Sequence, residues 1–326
     1  MEKTKYWIWF SRIKNLGSIK KQELLKKYKI EEIWNLKHKE LMSIDGIGEK
    51  IAKEILNPKY KIGLENMMNT MQKENIELIN IDDKNYPEKL KQIYDKPISL
   101  YIKGNVEILN SFSLAVIGCR QNSEYGEEVA KAVTRGIVKN DIVTISGLAR
   151  GIDSICHRET LKNKGKTIAI IGSSLDIIYP SENKNLVDEI INNGGCIVSE
   201  YPLGTRPEKM NFPARNRIIS GLSNGIIVIE AKKKSGTMTT VDFALEQGKN
   251  VFAIPRKYNK QELRRNKWIN KARSKMYNMY ARHIRRILET KGNLCKILEI
   301  ENIIYYNKYT KIDVNIKHQK MREVLL

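Results

Sequence analysis

Arg215-Asn-Arg217, between Phe212-Pro213 and the apolar run 225–229, and Ser235-Gly236-Thr237 beyond that run, are the residues of this chain best suited to holding an anion. A guanidinium forks onto phosphate through paired N–H groups. A short hydroxyl-rich turn between a buried strand and a helix presents free backbone N–H groups at the positive end of the helix dipole. The same residues have a plainer reading, in which Ser235 and Thr237 cap a helix and the arginines pair with acids. A cap accounts for the turn but not for the Arg-Asn-Arg beside it.

These groups need elements to carry them, and from residue 112 the chain supplies an alternation. Strand patterns fall at 114–118, 142–146, 167–172, 196–199, 225–230 and 250–254. Helix patterns fall at 124–139, 154–164, 182–193 and 239–247, with a further helix over Arg-Asn-Arg. Continuous apolar strands separated by amphipathic helices indicate an α/β fold with a parallel sheet covered on both faces. Ligands of such sheets bind outside the carboxyl ends of the strands. There the sequence places Gly118-Cys-Arg120, Ser146-Gly147, Arg150-Gly151, Ser199-Glu200 and Glu230 through Thr237. Arg120 and Arg150 are candidate phosphate contacts, and Gly118, Gly147 and Gly151 allow close backbone approach. Asp153 opens a helix and reads as a cap; His157, four residues on, shares its face, so the two read as a hydrogen-bonded pair or as an acid–base unit. Glu200 and Glu230 read either as paired carboxylates or as anchors for the site's arginines. The first turn lacks Gly-x-Gly-x-x-Gly, which argues against a dinucleotide cofactor.

The chain has 326 residues, 41% hydrophobic and 29% charged, as expected of a folded protein with more than one domain. Its apolar runs are too short to span a bilayer, and Tyr6-Trp-Ile-Trp-Phe10 is too short for a signal segment. The 4 cysteines show no Cys-x-x-Cys spacing, which points to reduced thiols in a cytoplasm, with neither zinc nor disulfides. Net charge is +21, favouring a polyanionic partner. Residues 256–326 hold 19 lysines and arginines against 6 acids, or +13, leaving +8 for residues 1–255.

Residues 1–75 read as a small all-α domain. Within it, Leu41-x-x-Ile44-Asp-Gly46-Ile-Gly48-x-Lys50-Ile-Ala52-x-x-Ile55 has the form of a helix-hairpin-helix, a SAM-like module. Gly46 and Gly48 permit the tight hairpin, whose amides beside Lys50 are placed to touch a DNA phosphate or to serve a packing contact. Residues 76–255 form the α/β domain and 256–326 a basic tail.

Taken in order, Gly118-Cys-Arg120, Ser123-x-Tyr-Gly126, Ser146-Gly-Leu-Ala-Arg-Gly-Ile-Asp153, His157, Tyr179-Pro180, Ser199-Glu200, Phe212-Pro-x-Arg-Asn-Arg217 and Glu230-Ala…Ser235-Gly-Thr237 resemble the DNA processing protein A family (DprA, also called Smf). Tyr86-Pro87, Pro97 and Leu100-Tyr-x-Lys-Gly104 match its lead-in, so the resemblance runs from about residue 80 to Pro255. It implies an extended Rossmann-like fold that binds single-stranded DNA in a basic groove, forms a homodimer and loads the recombinase RecA during natural transformation. It points to Arg120, Lys184, Lys209, Arg215 and Arg217 as DNA contacts, with Asn216, Ser235, Gly236 and Thr237 beside them. It implies no catalysis and no cofactor. Cys119 stands where the family has Ser or Thr. A nucleotide-hydrolysing enzyme of the phosphoribohydrolase group is the alternative, but such enzymes use Pro-Gly-Gly-x-Gly-Thr where this chain has Lys232-Lys-Lys-Ser-Gly-Thr237.

After Pro255 the family text, Pro-Gly-Asn and later Gly-x-Asn-x-Leu-Ile-x-x-Gly-Ala, is missing. Allowed codons for residues 256–275, read one base later, give Gly-Asn at once and then Gly-Thr-Asn-Gly-Leu-Ile-Lys-Gln-Gly-Ala. The tail therefore reads as a frameshift product, and its +13 as an accident of the frame. The rival is a genuine basic appendage in which Trp268, Tyr277 and Tyr280 stack bases among lysines and arginines. The gene is expected to carry one extra base near codon 256. Sequencing it decides the matter, because a shifted frame without Gly-Thr-Asn leaves only the appendage.

Overall fold

Short runs rich in Ile, Val and Leu become strands here, and the amphipathic stretches between them become helices. The computed structural model describes residues 3–232 and 235–254; the tail, 256–326, lies outside the described residues. Six helices come first: α1 (Thr4–Arg12), α2 (Ser18–Lys27), α3 (Ile30–Asn35), α4 (His38–Met42), α5 (Glu49–Leu56) and α6 (Leu64–Lys73). Then follow β1 (Ile76–Asn80), α7 (Glu88–Lys91), β2 (Ser99–Gly104), β3 (Ser113–Ile117), α8 (Glu124–Lys139), β4 (Val143–Ser146), α9 (Ile152–Lys162) and β5 (Thr167–Ile170). The chain continues through α10 (Lys184–Asn192), β6 (Cys196–Ser199), α11 (Asn211–Leu222), β7 (Gly225–Val228), α12 (Gly236–Glu246) and β8 (Asn250–Ala253). Among the described residues no helix is long and apolar enough to cross a membrane.

The chain divides into two compact units, one made of residues 1–111 and 168–222, the other of residues 112–167 and the chain from Ser223 onward. The N-terminal helices thus share a unit with β1, β2, β5 and β6. In that first unit β2 runs antiparallel to both β1 and β6, while β6 is parallel to β5. Helix α1 buries Trp7, Ile8, Trp9 and Phe10, so the aromatic run near the N-terminus is core. Helices α4 and α5 form the expected hairpin. Gly46 sits at φ +77°, a conformation that favours glycine, and Gly48 is the N-cap of α5.

In the second unit the order is β4-β3-β7-β8, all parallel. The step from β3 to β4 runs one way along the sheet and that from β7 to β8 the other. Right-handed crossovers therefore put α8 and α12 on opposite faces, the Rossmann-like arrangement expected from the alternation. Leu114 and Val116, on one face of β3, pack with Val129, Ala130 and Ile137 of α8 and with Ile152 and Cys156 of α9.

Element ends differ from the expected ones by a few residues. The difference that matters is at α12, which starts at Gly236 and not at residue 239. Ser235 is its N-cap but makes no side-chain cap; its hydroxyl donates to the Lys232 carbonyl at 2.8 Å. Thr237 lies in the first turn and sends its hydroxyl to the Gly118 carbonyl at 3.0 Å. Neither hydroxyl serves the cap that the plainer reading assigned to it.

Lys21 on α2 is a buried cation at 8% exposure. Its Nζ donates to the Ser11 carbonyl at 3.1 Å and lies 5.7 Å from the centre of the Phe10 ring. Burial pulls its pKa down to about 8, against a partial upward pull from Glu200. A lysine with a lowered folded pKa destabilises the fold fully below about pH 8, and that cost fades as pH rises toward the unfolded value. Lys21→Met should therefore raise stability by at most about 3 kcal/mol at pH 7. Denaturant melts should show the gain shrinking between pH 8 and 10.5; a gain independent of pH would mean Lys21 is not the group responsible.

Candidate nucleic-acid interface

In the second unit the loops after β3 and β7 meet at the point where strand order reverses, the position at which doubly wound sheets hold ligands. Backbone contacts knit these loops together. Cys119 N donates to Glu230 O at 2.8 Å, Ile152 N to Cys119 O at 3.3 Å, and Thr237 Oγ1 to Gly118 O. Two glycines make the approach possible. A Cβ on Gly118 would come within 2.5 Å of Ile152 Cγ1, and one on Gly151, at φ +74°, would press on the carbonyls of Cys119 and Arg120. Ser146 Oγ donates to Val116 O at 2.7 Å and is buried, so it ties β4 to β3 and is not offered to a ligand. Arg120, Arg150, Lys232 and Gly236 are exposed on this rim.

The acidic residues here have structural partners. Asp153 accepts from the amides of Gly147 (3.1 Å) and Ala149 (3.4 Å), so it braces the preceding loop, whereas the expected helix cap falls at Gly151. Glu230 Oε2 accepts from Ser123 N at 3.0 Å and Ser123 Oγ at 3.2 Å, at the start of α8. Burial and then Glu230 push the Cys119 thiol above its usual pKa, and burial raises Cys156 to about 12, so neither is primed as a nucleophile. His157 is fully buried with Nδ1 2.8 Å from Thr167 Oγ1, which removes it from any solvent-borne substrate.

The first unit has its own exposed edge. Tyr179, 39% exposed, follows β5, and its ring lies 5.5 Å from that of Phe212 at the start of α11. Lys184 begins α10 one short turn after Tyr179, and Lys209 and Met210 (72% exposed) immediately precede α11; both lysines are exposed. Two segments therefore supply an aromatic pair with a cation near each. Tyr179-Pro180 and Phe212-Pro213 stand among the motifs read from the sequence, but neither ring is assigned a role there. Each ring precedes a proline, but nothing local in the sequence shows that the two meet.

Arg215 and Arg217 point inward, with exposures of 4% and 5%. Arg215 Nη1 donates to the Ile170 carbonyl. Arg217 pairs with Glu200 at 2.7 Å and Asp95 at 3.0 Å, and also donates to Ser18 Oγ. Burial acts to lower its pKa, but Glu200 and Asp95 together outweigh this and the net shift is upward. Asn216 is buried beside them. Arg217 thus follows the plainer reading set out from the sequence, an arginine paired with acids, whereas Arg215 is held by a backbone carbonyl. From residue 215 to its end at Leu222 α11 is buried on every side, so consecutive residues there all face protein, and only its first turn, with Pro213 and Ala214, is exposed. At the helix-hairpin-helix, Gly46, Gly48 and Lys50 are exposed, and Lys20 Nζ donates to the Gly46 carbonyl at 3.0 Å.

Known proteins share this fold. The family model of DNA recombination-mediator protein A matches residues 77–288, and the chain belongs to that family. The match runs past Pro255, where the motifs read from the sequence stop. Among its members, the chain is 34% identical over 262 residues to protein Smf of Synechocystis sp., covering 79% of this chain and 66% of that protein. It is 48% identical over 176 residues to DNA processing protein DprA of Streptococcus pneumoniae, covering 54% and 62%. The crystal structure of S. pneumoniae DprA superposes with a TM-score of 0.62 at 35% identity, covering 78% of this chain and 88% of that one. A DprA from Helicobacter pylori, whose structure concerns its single-stranded DNA binding mode, matches with a TM-score of 0.51 at 33% identity, covering 56% and 83%. The chain spans between about a third and two thirds of the length of the curated relatives it matches.

The Arg217 cluster has a measurable consequence. Removing one partner of a buried ion pair leaves a charge uncompensated, so Glu200→Ala should lower stability by about 3 kcal/mol, with Asp95 limiting the loss. Chemical denaturation reads this directly, and a change under about 0.5 kcal/mol, as for an ordinary surface site, would mean the pair contributes nothing.

Proposed function

We propose that this chain binds single-stranded DNA without catalysing a reaction on it, and that it serves natural transformation by protecting incoming DNA and loading RecA, working as a homodimer. The observation that carries the binding reading is the joined pair of loops at the strand-order reversal of the second unit. There Arg120 stands on a loop hydrogen-bonded to the first turn of α12, whose amide end carries no acidic residue. Exposed guanidinium and ammonium groups beside the amino end of a helix suit a phosphate backbone and carry no base preference. The first unit adds what a duplex-binding surface does not need, two neighbouring rings with lysines alongside, Lys184 and Lys209. Unpaired bases stack on such rings. The single-stranded DNA binding of the H. pylori relative supports the same reading.

Hydrolysis of nucleotides is the weaker alternative. Glu230 and Glu200, the two acids a hydrolase would use, are engaged by Ser123 and Arg217 respectively. Buried Arg215, Asn216 and Arg217 enter as the scaffold of α11, and Arg120, Lys184 and Lys209 as the contacts. The hairpin at Gly46 and Lys50 remains a second candidate for a backbone phosphate.

Fluorescence anisotropy with a labelled oligonucleotide separates the two kinds of contact. Arg120→Ala should weaken binding and reduce the slope of log K against log salt by about 0.7, the loss of one phosphate contact. Tyr179→Ala should weaken binding by roughly 1–3 kcal/mol and leave that slope unchanged. Wild-type affinity in both variants would sink the proposal. Faster RecA assembly on single strands in the presence of the protein, and a dimer by analytical ultracentrifugation, are the expected results for the partners.

A further inference from the structure

Glu230 holds both ends of the loop on which Arg120 stands. Its backbone carbonyl accepts from Cys119 N at 2.8 Å. Its Oε2 accepts from Ser123 N at 3.0 Å and Ser123 Oγ at 3.2 Å. Arg120, Gln121 and Asn122 span the gap between those two anchors. We propose that Glu230 is a positioning residue for Arg120, fixing the loop so that its guanidinium meets a DNA phosphate; this rests on the single-strand-binding reading above.

Gly126 is an independent mark of the same device. It lies in the first turn of α8, its φ is not positive, and glycine within a helix is less favourable than alanine. Backbone conformation therefore gives no reason for it. Space does, because a Cβ built on Gly126 runs into Glu230 Oε2. The glycine is the notch that admits the carboxylate. Ser123 completes the seat, its hydroxyl accepting from Gly126 N at 3.0 Å while donating to Glu230. A carboxylate at this helix end is favoured by the dipole, and this one takes the Ser123 amide and hydroxyl.

A charge argument and a positioning argument predict opposite signs. An acid near a phosphate site repels the ligand, so a purely electrostatic Glu230 gives tighter DNA binding when removed. A positioning Glu230 gives weaker binding, by about tenfold if the Arg120 contact is lost. The experiment is a double-mutant cycle on the full chain, read by anisotropy with a single-stranded oligonucleotide. Glu230→Ala should approach the loss seen in Arg120→Ala, and the double variant should be no weaker than Arg120→Ala alone. Glu230→Gln, which keeps an acceptor oxygen, should recover most of the affinity. Gly126→Ala, which fills the notch and leaves Glu230 in place, should reproduce the loss and serves as the second variant if Glu230→Ala does not fold. Unchanged or tighter binding in Glu230→Ala beside a weakened Arg120→Ala overturns the positioning role alone. Additive losses in the double variant also overturn it. Failure of the wild type to bind the oligonucleotide removes the single-strand reading itself, and the positioning role with it.

Discussion

The close approach of three backbone segments at the strand ends of the second unit is the constraint on which its candidate site depends. Residues 118–120, 149–152 and 229–230 exchange main-chain hydrogen bonds where the parallel strands have ended and their ladder no longer supplies partners. Gly118 and Gly151 are required for that contact, since side chains at either position would separate the segments. With the loops joined in this way, the Thr237 hydroxyl on the Gly118 carbonyl ties the first turn of α12 to the loop that carries Arg120.

Carboxylates do the remaining work of ordering. Asp153 takes two amides of the loop before α9, Glu230 takes the start of α8, and Glu200 takes Arg217 within the first unit. Each satisfies donors or a charge that burial would otherwise leave costly. Acidic residues at strand ends, which in another protein would suggest acid–base chemistry, here act as braces. At the candidate contacts the exposed side chains are Arg120 in the second unit and Tyr179, Lys184 and Lys209 in the first, while Asp153, Glu230 and Glu200 turn toward the backbone or toward a buried guanidinium.

The arginines show how much the identity of a residue leaves open. Arg120 and Arg217 have the same chemistry, and phosphate binding is a reasonable expectation for both. Arg120 stands on a loop at a strand end and faces solvent. Arg217 stands on α11, between Asp95, Glu200 and Ser18, residues that come from three separated parts of the chain. No local pattern reveals those neighbours. The same holds for Tyr179 and Phe212, two rings more than thirty residues apart in sequence that meet at 5.5 Å.

The alternation of apolar strands with amphipathic helices from residue 112, the α4–α5 hairpin with its glycines, and the family to which the chain belongs were all legible in the sequence. These depend on local periodicity, turn chemistry and ordered motifs, which a one-dimensional pattern carries. Tertiary structure alone decided that β2 runs antiparallel between β1 and β6, that α12 begins at Gly236, and that Arg215 and Arg217 are buried. It also decided that Gly126 is a notch for a carboxylate 104 positions later. Each of these is a contact between residues distant along the chain. Whether a side chain becomes scaffold or ligand contact depends on what folds against it, and that information is not local.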